Sequence, residues 1–219
     1  MFSIDTVDDG LPEPSYNIAP SQQISIVVDA AGRDDATSPV RRLVSARWGL
    51  VPRFAVSMSA GPTPFNARVE KLAASPLYRG PLARRRTIVP ADGFYERRRT
   101  DRQSFYIHPV DDTPLALAGL YEWWRPNDSP GVPWLLTATI ITRDAQAAMA
   151  DIHDRQPLYL PHDLWDEWLD PAAQGGRQLV DAVMGETAAI AERLDYRPVG
   201  SAWLSTRPGQ RRDDSGLID

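Results

Sequence analysis

The stretch Thr87-Ile-Val-Pro-Ala-Asp-Gly-Phe-Tyr-Glu96 constrains the fold of this chain more than any other. Its β-formers run into Pro90, Asp92 and Gly93 supply a turn, and Phe94 and Tyr95 resume extended backbone. Glu96 is therefore predicted to follow a strand, turn, strand corner that holds its carboxylate on rigid backbone. Further along, Asp151-Ile-His-Asp-Arg-Gln-Pro157 gathers an imidazole, two acids and a guanidinium into seven positions. The pattern predicts that Glu96 and His153 face one another across a single cleft.

The chain has 219 residues, long enough to bury a proper core, and its 42% hydrophobic and 24% charged content is ordinary for a globular protein. No run approaches the roughly 18 apolar residues of a membrane span, and the start lacks a basic-then-apolar signal pattern. A cytoplasmic location with no membrane partner is expected. The net charge of -5 argues against indiscriminate attraction to nucleic acid, but the arginines are clustered. Arg79, Arg84, Arg85 and Arg86 precede the central stretch, Arg97, Arg98, Arg99 and Arg102 follow it, and Arg41, Arg42, Arg47 and Arg53 lie upstream. On one face these groups would bind phosphates; scattered, they would be solvated arginines on loops and strand edges. The chain has no cysteine, which excludes disulfides and thiolate chemistry, and its three histidines lack ligand spacing, so neither metal nor cofactor is expected.

Residues 1–15 are acidic and Pro-rich, which predicts an irregular lead-in. Strands are predicted at Gln23–Asp29, Val40–Trp48, Ser104–His108, Pro114–Trp124, Pro133–Ile141, Pro157–Leu160 and Tyr196–Val199. Ala30 to Asp35 end the first of these, and residues 125–131 form a loop by composition. Phe65–Ala74 contains good helix formers and is predicted helical, with Asn66, Val69 and Glu70 along one side and Arg68 on another. Thr142 is a candidate cap for a short helix over 143–150. Pro161–Leu169 and Gly176–Met184 are further predicted helices, the first with Trp165 and Trp168 on a core-facing stripe. The whole reads as one α+β domain, a mixed or antiparallel sheet curled into a barrel-like shape with peripheral helices.

Neither a Ser-His-Asp pattern, a Gly-x-Ser-x-Gly elbow nor a phosphate loop is present. What remains is acid/base material: Glu96, His153 and Asp154, with Asn66 and Arg68 as polar positioners. An imidazole and a partly buried glutamate in one cleft suit proton shuttling near neutral pH. The bland alternatives stay open: Glu96 paired with one of Arg97 to Arg99, His153 satisfied at a helix end, and Trp48 in the core rather than stacked on a base.

Six blocks, Tyr16-Asn-Ile-Ala-Pro20, Arg47-Trp-Gly-Leu-Val-Pro52, Phe65-Asn-Ala-Arg-Val-Glu70, Ile88 to Glu96, Leu117-Ala-Gly-Leu-Tyr-Glu122 and Ile152-His-Asp-Arg-Gln-Pro157, together resemble the SOS response-associated peptidase (SRAP) family. The resemblance covers most of residues 16–160 in the family's order. It implies an SRAP domain over 16–205, a flexible tail over 206–219, and a monomer that senses abasic sites in single-stranded DNA. Family members expose a cysteine behind the initiator methionine and join its amine and thiol to the open-chain aldehyde of the abasic sugar as a thiazolidine. Carried over by motif, Asn66 would position the sugar or the terminal amine. Glu96 would shuttle the proton that opens the ring, and His153 would act in Schiff-base formation and reversal. Arg68 and Arg155 would contact phosphates, and Trp48 would line the stacked-base surface.

The chain departs from that pattern in four places. The family opens Met-Cys-Gly-Arg, whereas this chain opens Met1-Phe2-Ser3-Ile4 and places Tyr16 close to its start, as though the family's first strand and helix were missing. The departure implies an earlier true start or a lost segment, and Met1 is not expected to be trimmed before the bulky Phe2. Arg97 stands where a tryptophan is usual, Gln156 where Met or Arg is usual, and Ala202-Trp-Leu204 replaces a Val-Asn pair. Two other functions are consistent with the residues: a non-catalytic single-stranded DNA binder, and a peptidase or hydrolase using Glu96 and His153.

Overall fold

The computed structural model describes residues 1–30, 39–126, 131–204 and 215–218. β2 (Gln23–Ala30) and β3 (Val40–Trp48) pair antiparallel, with Ile26 opposite Val44. β5 (Arg86–Ala91), β8 (Leu115–Trp124) and β9 (Leu135–Asp144) continue the antiparallel order, and β5 joins β2 through Ile88 and Val27. Arg47 then pairs in parallel with Thr137, and Trp48 with Ala138, tying β3 back to β9. The strands thus close into a five-membered ring, β3–β2–β5–β8–β9–β3, which leaves no long free edge to recruit another chain. The expected single α+β domain with a curled, barrel-like sheet is the fold observed.

Short strands extend this ring. β1 (Thr6–Val7) lies parallel to β3, β4 (Asn66–Arg68) lies parallel to β9, and β10 (Arg155–Pro157) runs antiparallel to β9. A second sheet is ordered β11 (Leu194–Val199), β7 (Ser104–Pro109), β6 (Phe94–Arg97). The turn between β5 and β6 requires glycine, because a Cβ at Gly93 would sit 2.6 Å from the Ile107 carbonyl and from the Tyr106 ring.

Alternation along the ring strands divides the core in two. Val27, Ile88, Ala118, Leu120 and Ile141 meet the helices α1 (Pro76–Arg84), α3 (Trp165–Leu169) and α4 (Arg177–Ala191). The residues between them, including Ile26, Val44, Val89, Leu117, Ala138 and Ile140, meet Phe105 and Ile107 of the second sheet and Met149 and Ile152 of α2 (Met149–Ile152). Each such fully buried aliphatic contributes roughly 1.5–3 kcal/mol, so the period-two pattern fixes which face every strand turns to which partner.

Several expectations are corrected. Residues 66–68 are a strand, and only Val69–Lys71 turn, as a 3-10 helix. Helix propensity at 65–74 is overridden by three backbone pairings with β9. Thr142 lies inside β9 and caps nothing, since β10 holds residues 142–144 extended and the helix is only Met149–Ile152. Ser75 caps α1, an unpredicted helix, with Pro76 at its first position and Pro81 within it. The lead-in is packed, because Phe2 stacks on Trp165 at 4.8 Å and Asp5 and Asp8 hydrogen-bond to β3. Of the expected tail, only 215–218 are described, with Leu217 buried and the Ile218 carbonyl accepting from Arg197 at 2.8 Å. The expected turn after Ala30 and most of the loop at 125–131 fall outside the described residues.

Candidate functional site

Glu96 sits within β6, opposite Phe105 of β7. Phe94 packs on the second core cluster, and a strand repeats every two residues, so Glu96 turns to that same face. Burial raises its pKa above the ordinary glutamate range. Among the charges acting on it, His153 is the strongest and favours the carboxylate; Asp154 opposes and Arg99 assists. The structure therefore brings Glu96 and His153 into one electrostatic cluster.

His153 follows α2 and ends it in extended backbone, next to the buried Ile152. Its Nδ1 lies 3.1 Å from both the carbonyl oxygen and the amide nitrogen of Arg155. One residue's backbone can thus hold the ring in either neutral tautomer. With Nδ1–H donating to the carbonyl, Nε2 is a free base; with Nδ1 accepting from the amide, Nε2 bears the proton. Asp154 stands 3.4 Å from Nδ1 and is itself held by Arg99 at 2.9 Å, so an imidazolium here has a carboxylate beside it.

Tyr159 lies beneath this cluster, wholly buried, with its hydroxyl unpartnered; burial first, then Tyr196 and Glu96, push that phenol far upward. No sequence signal points to it, since Pro157–Leu160 reads only as a short apolar strand.

The other predicted residues line the nearby end of β9. Trp48 donates its indole N–H to the Phe65 carbonyl at 2.8 Å and meets the Phe65 ring edge-on at 6.0 Å. The two make a shelf next to Asn66, which pairs with Ile140 and is exposed. Phe65 is 46% exposed and was overlooked as a contact residue, although it opens the Asn66 block. Gly49 beside Trp48 adopts φ 136°, and a Cβ there would also press on Arg47 and the Thr63 carbonyl.

Arg68 is exposed, whereas the Arg155 guanidinium is committed. It binds Glu70 at 2.9 and 3.1 Å, Asp144 by a short contact, and the Thr142 carbonyl at 2.7 Å. Its hydrogen bond holds Glu70 below the usual carboxylate range. The departures from the family pattern also find places. Gln156 is buried and accepts from the Gln146 amide at 2.8 Å, closing the loop that carries His153. Trp203 stacks on Tyr95 at 5.2 Å and accepts from Asn17 through its carbonyl at 3.2 Å.

Several of the upstream and flanking arginines are engaged by acids. Arg41 binds Asp29 and Asp166, Arg42 binds Asp8, Arg85 binds Glu122, and Arg98 binds Asp101. Arg86 is buried and hydrogen-bonds only to carbonyls. Among the described residues no cluster of three or more histidine, aspartate or glutamate side chains is placed to hold a metal ion, and no helix is long and apolar enough to cross a membrane.

The molecule is thus a closed five-strand ring that carries a half-buried carboxylate, Glu96, an imidazole, His153, held by the Arg155 backbone, and an aromatic shelf at Trp48 and Phe65. Residues 2–204 match the family described as SOS response associated peptidase (SRAP), and the chain belongs to that family. It is 41% identical over 162 residues to the abasic site processing protein YoaM of Bacillus subtilis, covering 73% of this chain and 67% of that protein. It is 31% identical over 225 residues to the abasic site processing protein HMCES of Gallus gallus, covering 91% of this chain and 65% of that one. A solved structure from Bacteroides thetaiotaomicron shares the fold, with a TM-score of 0.71 at 21% identity over 90% of this chain and 81% of that one. A phage-related protein of Bordetella bronchiseptica superposes with a TM-score of 0.61 at 28% identity, covering 85% and 82% of the respective chains.

Proposed function

We propose that this protein recognises abasic sites in single-stranded DNA and that Glu96 and His153 move the protons that open the abasic sugar. The observation that supports it most is a Glu96 raised by burial and faced by the charge of His153, whose ring one residue's backbone can hold in either tautomer. The family membership supplies the substrate class, since its relatives are named for abasic-site processing.

The abasic sugar is a cyclic hemiacetal. Opening it breaks the bond between C1′ and the ring oxygen; that oxygen takes the electron pair and a proton, while the C1′ hydroxyl loses a proton and becomes the aldehyde carbonyl. Protonated Glu96 supplies the first proton and His153 Nε2 accepts the second, leaving a carboxylate next to an imidazolium. Asn66 positions the sugar, Trp48 and Phe65 carry a flanking base, and Arg68 meets a phosphate. Arg155 reaches a phosphate by exchanging Asp144, which is 83% exposed, for the incoming oxygen. A thiazolidine needs a thiol, and this sequence contains none, so no such adduct is expected from its side chains.

The test uses a fluorescent oligonucleotide with one abasic site. The wild-type protein is expected to bind it more tightly than the intact sequence, to speed its labelling by an aminooxy dye, and to leave no thiazolidine band on a denaturing gel. Equal affinity for both oligonucleotides would refute the reading. The missing thiol favours a second reading, single-stranded DNA binding without turnover; under it, Glu96→Gln leaves the labelling rate unchanged.

A further inference from the structure

Away from the Glu96 rim, the ends of β8 and β9 present aromatic rings that the fold does not cover. Trp123 is 46% and Trp134 is 44% exposed, and Phe54 stands out at 67%. Arg125 lies over the Trp134 ring at 4.5 Å and Arg53 at 5.8 Å. An open cleft of about 460 Å³ is lined by Arg53, Arg85, Glu122, Trp123 and Trp134, a size ordinary for a ligand site. Its one acid is neutralised, since Glu122 binds Arg85 at 2.7 Å and accepts from the Trp123 amide. Arg53 and Arg125 have no acidic partner among the described residues. In a chain of net charge -5, the cleft is locally positive.

We infer that this cleft is a second contact for single-stranded DNA, taking nucleotides a short way along the strand from the lesion; the inference rests on the function proposed above. Charge and position select this occupant. Exposed indoles flanked by guanidinium groups match base faces and phosphates together, and such stacking tolerates any sequence. The strand register also places the cleft a short way along β9 from the Trp48 shelf. Trp48 and Tyr121 both pair with Ala138, and Trp123 pairs with Leu136, two residues along β9 on the same face. Two strand spacings across and two residues along put Trp48 and Trp123 about 12 Å apart at Cα. A strand held at the shelf need extend only a few nucleotides to reach Trp123 and Trp134.

Fluorescence anisotropy on the full chain tests this with two abasic oligonucleotides, one of about five nucleotides and one of about fifteen with tails on both sides. At one base contact of about 1–3 kcal/mol, Trp123→Ala with Trp134→Ala is expected to weaken the longer oligonucleotide about tenfold or more and the shorter one hardly at all. Arg125→Gln, which keeps both tryptophans, is expected to reduce the log–log salt slope for the longer oligonucleotide by about 0.7. Equal effects on both lengths, no effect on either, or light scattering that shows a dimer abolished by Trp134→Ala would overturn the inference. Failure of the wild type to distinguish abasic from intact DNA would instead sink the underlying function while leaving this contact measurable on intact strands.

Discussion

Arg86 and Glu96 stand at opposite ends of one strand–turn–strand unit, and both are ionisable groups drawn away from water. Arg86 is 2% exposed and donates to the carbonyls of Leu82, Ala83, Trp168, Asp170 and Ala173. It thereby helps close the last turns of α1 and α3, where carbonyls run out of intrahelical donors, together with the Gly175 amide, which donates to the Ala83 carbonyl at 2.9 Å. Gly175 lets the chain pass, since a Cβ there would lie 2.5 Å from Arg86 Nη1. Glu96 has a smaller complement: its half-buried carboxylate has a backbone hydrogen bond at Arg97 and the nearby charges of His153, Asp154 and Arg99, and the unpartnered Tyr159 hydroxyl lies in the same cluster. A saturated charge builds structure, whereas an incompletely satisfied one stays ready to exchange protons.

The largest way to break this contrast is Arg86→Met, which removes a donor from five carbonyls, those of Leu82 and Trp168 in buried hydrogen bonds and the others in part-buried ones. A loss of about 3–5 kcal/mol is expected, lowering Tm by about 10 °C or more in a thermal melt followed by circular dichroism. Next in size, His153→Ala and Glu96→Gln are each expected to slow aldehyde labelling of an abasic oligonucleotide about 100-fold, or about 2.7 kcal/mol, while binding persists. Arg155→Gln has a smaller effect because Glu70 and Asp144 are half or more exposed; a Tm drop of about 2–4 °C is expected.

The smallest effect depends on pH. Because the folded pKa of Glu96 lies above its unfolded value, its contribution to stability is complete below the unfolded pKa and is lost as pH rises through the folded one. Glu96→Gln removes this pH dependence, so the variant's Tm relative to wild type is expected to be higher at neutral pH than near pH 4. Unfolding curves at the two pH values check this, and the reverse order would mean that folding does not raise the Glu96 pKa.

Much of the fold was legible. Alternating β-branched runs placed β2, β3, β8 and β9 within a few residues, and Pro90, Asp92 and Gly93 marked the corner correctly. The failures share a cause. Asn66–Arg68 and Arg143–Asp144 look helical or neutral locally, and only their pairing partners on β9 and β10 hold them extended. Helix α1 was hidden by Pro76, Gly80 and Pro81, which read as breakers until burial of Tyr78 and Leu82 outweighs them. For the site, the sequence singled out Glu96, His153, Asn66 and Trp48 as candidates, but it could not say that Arg155 was already engaged or that Arg41, Arg42, Arg85 and Arg98 had acid partners.

The order of the strands, the glycine at the corner, the absence of any thiol and the residues able to move protons were all set by the amino-acid sequence, because each depends on the chemistry of a residue and its near neighbours. Ring closure through Trp48 and Ala138, the burial that lifts Glu96, and the division of arginines into paired and unpaired belong to the tertiary structure. Those properties depend on contacts between segments distant along the chain, where burial and pairing set the energy of a charge more strongly than its own identity does.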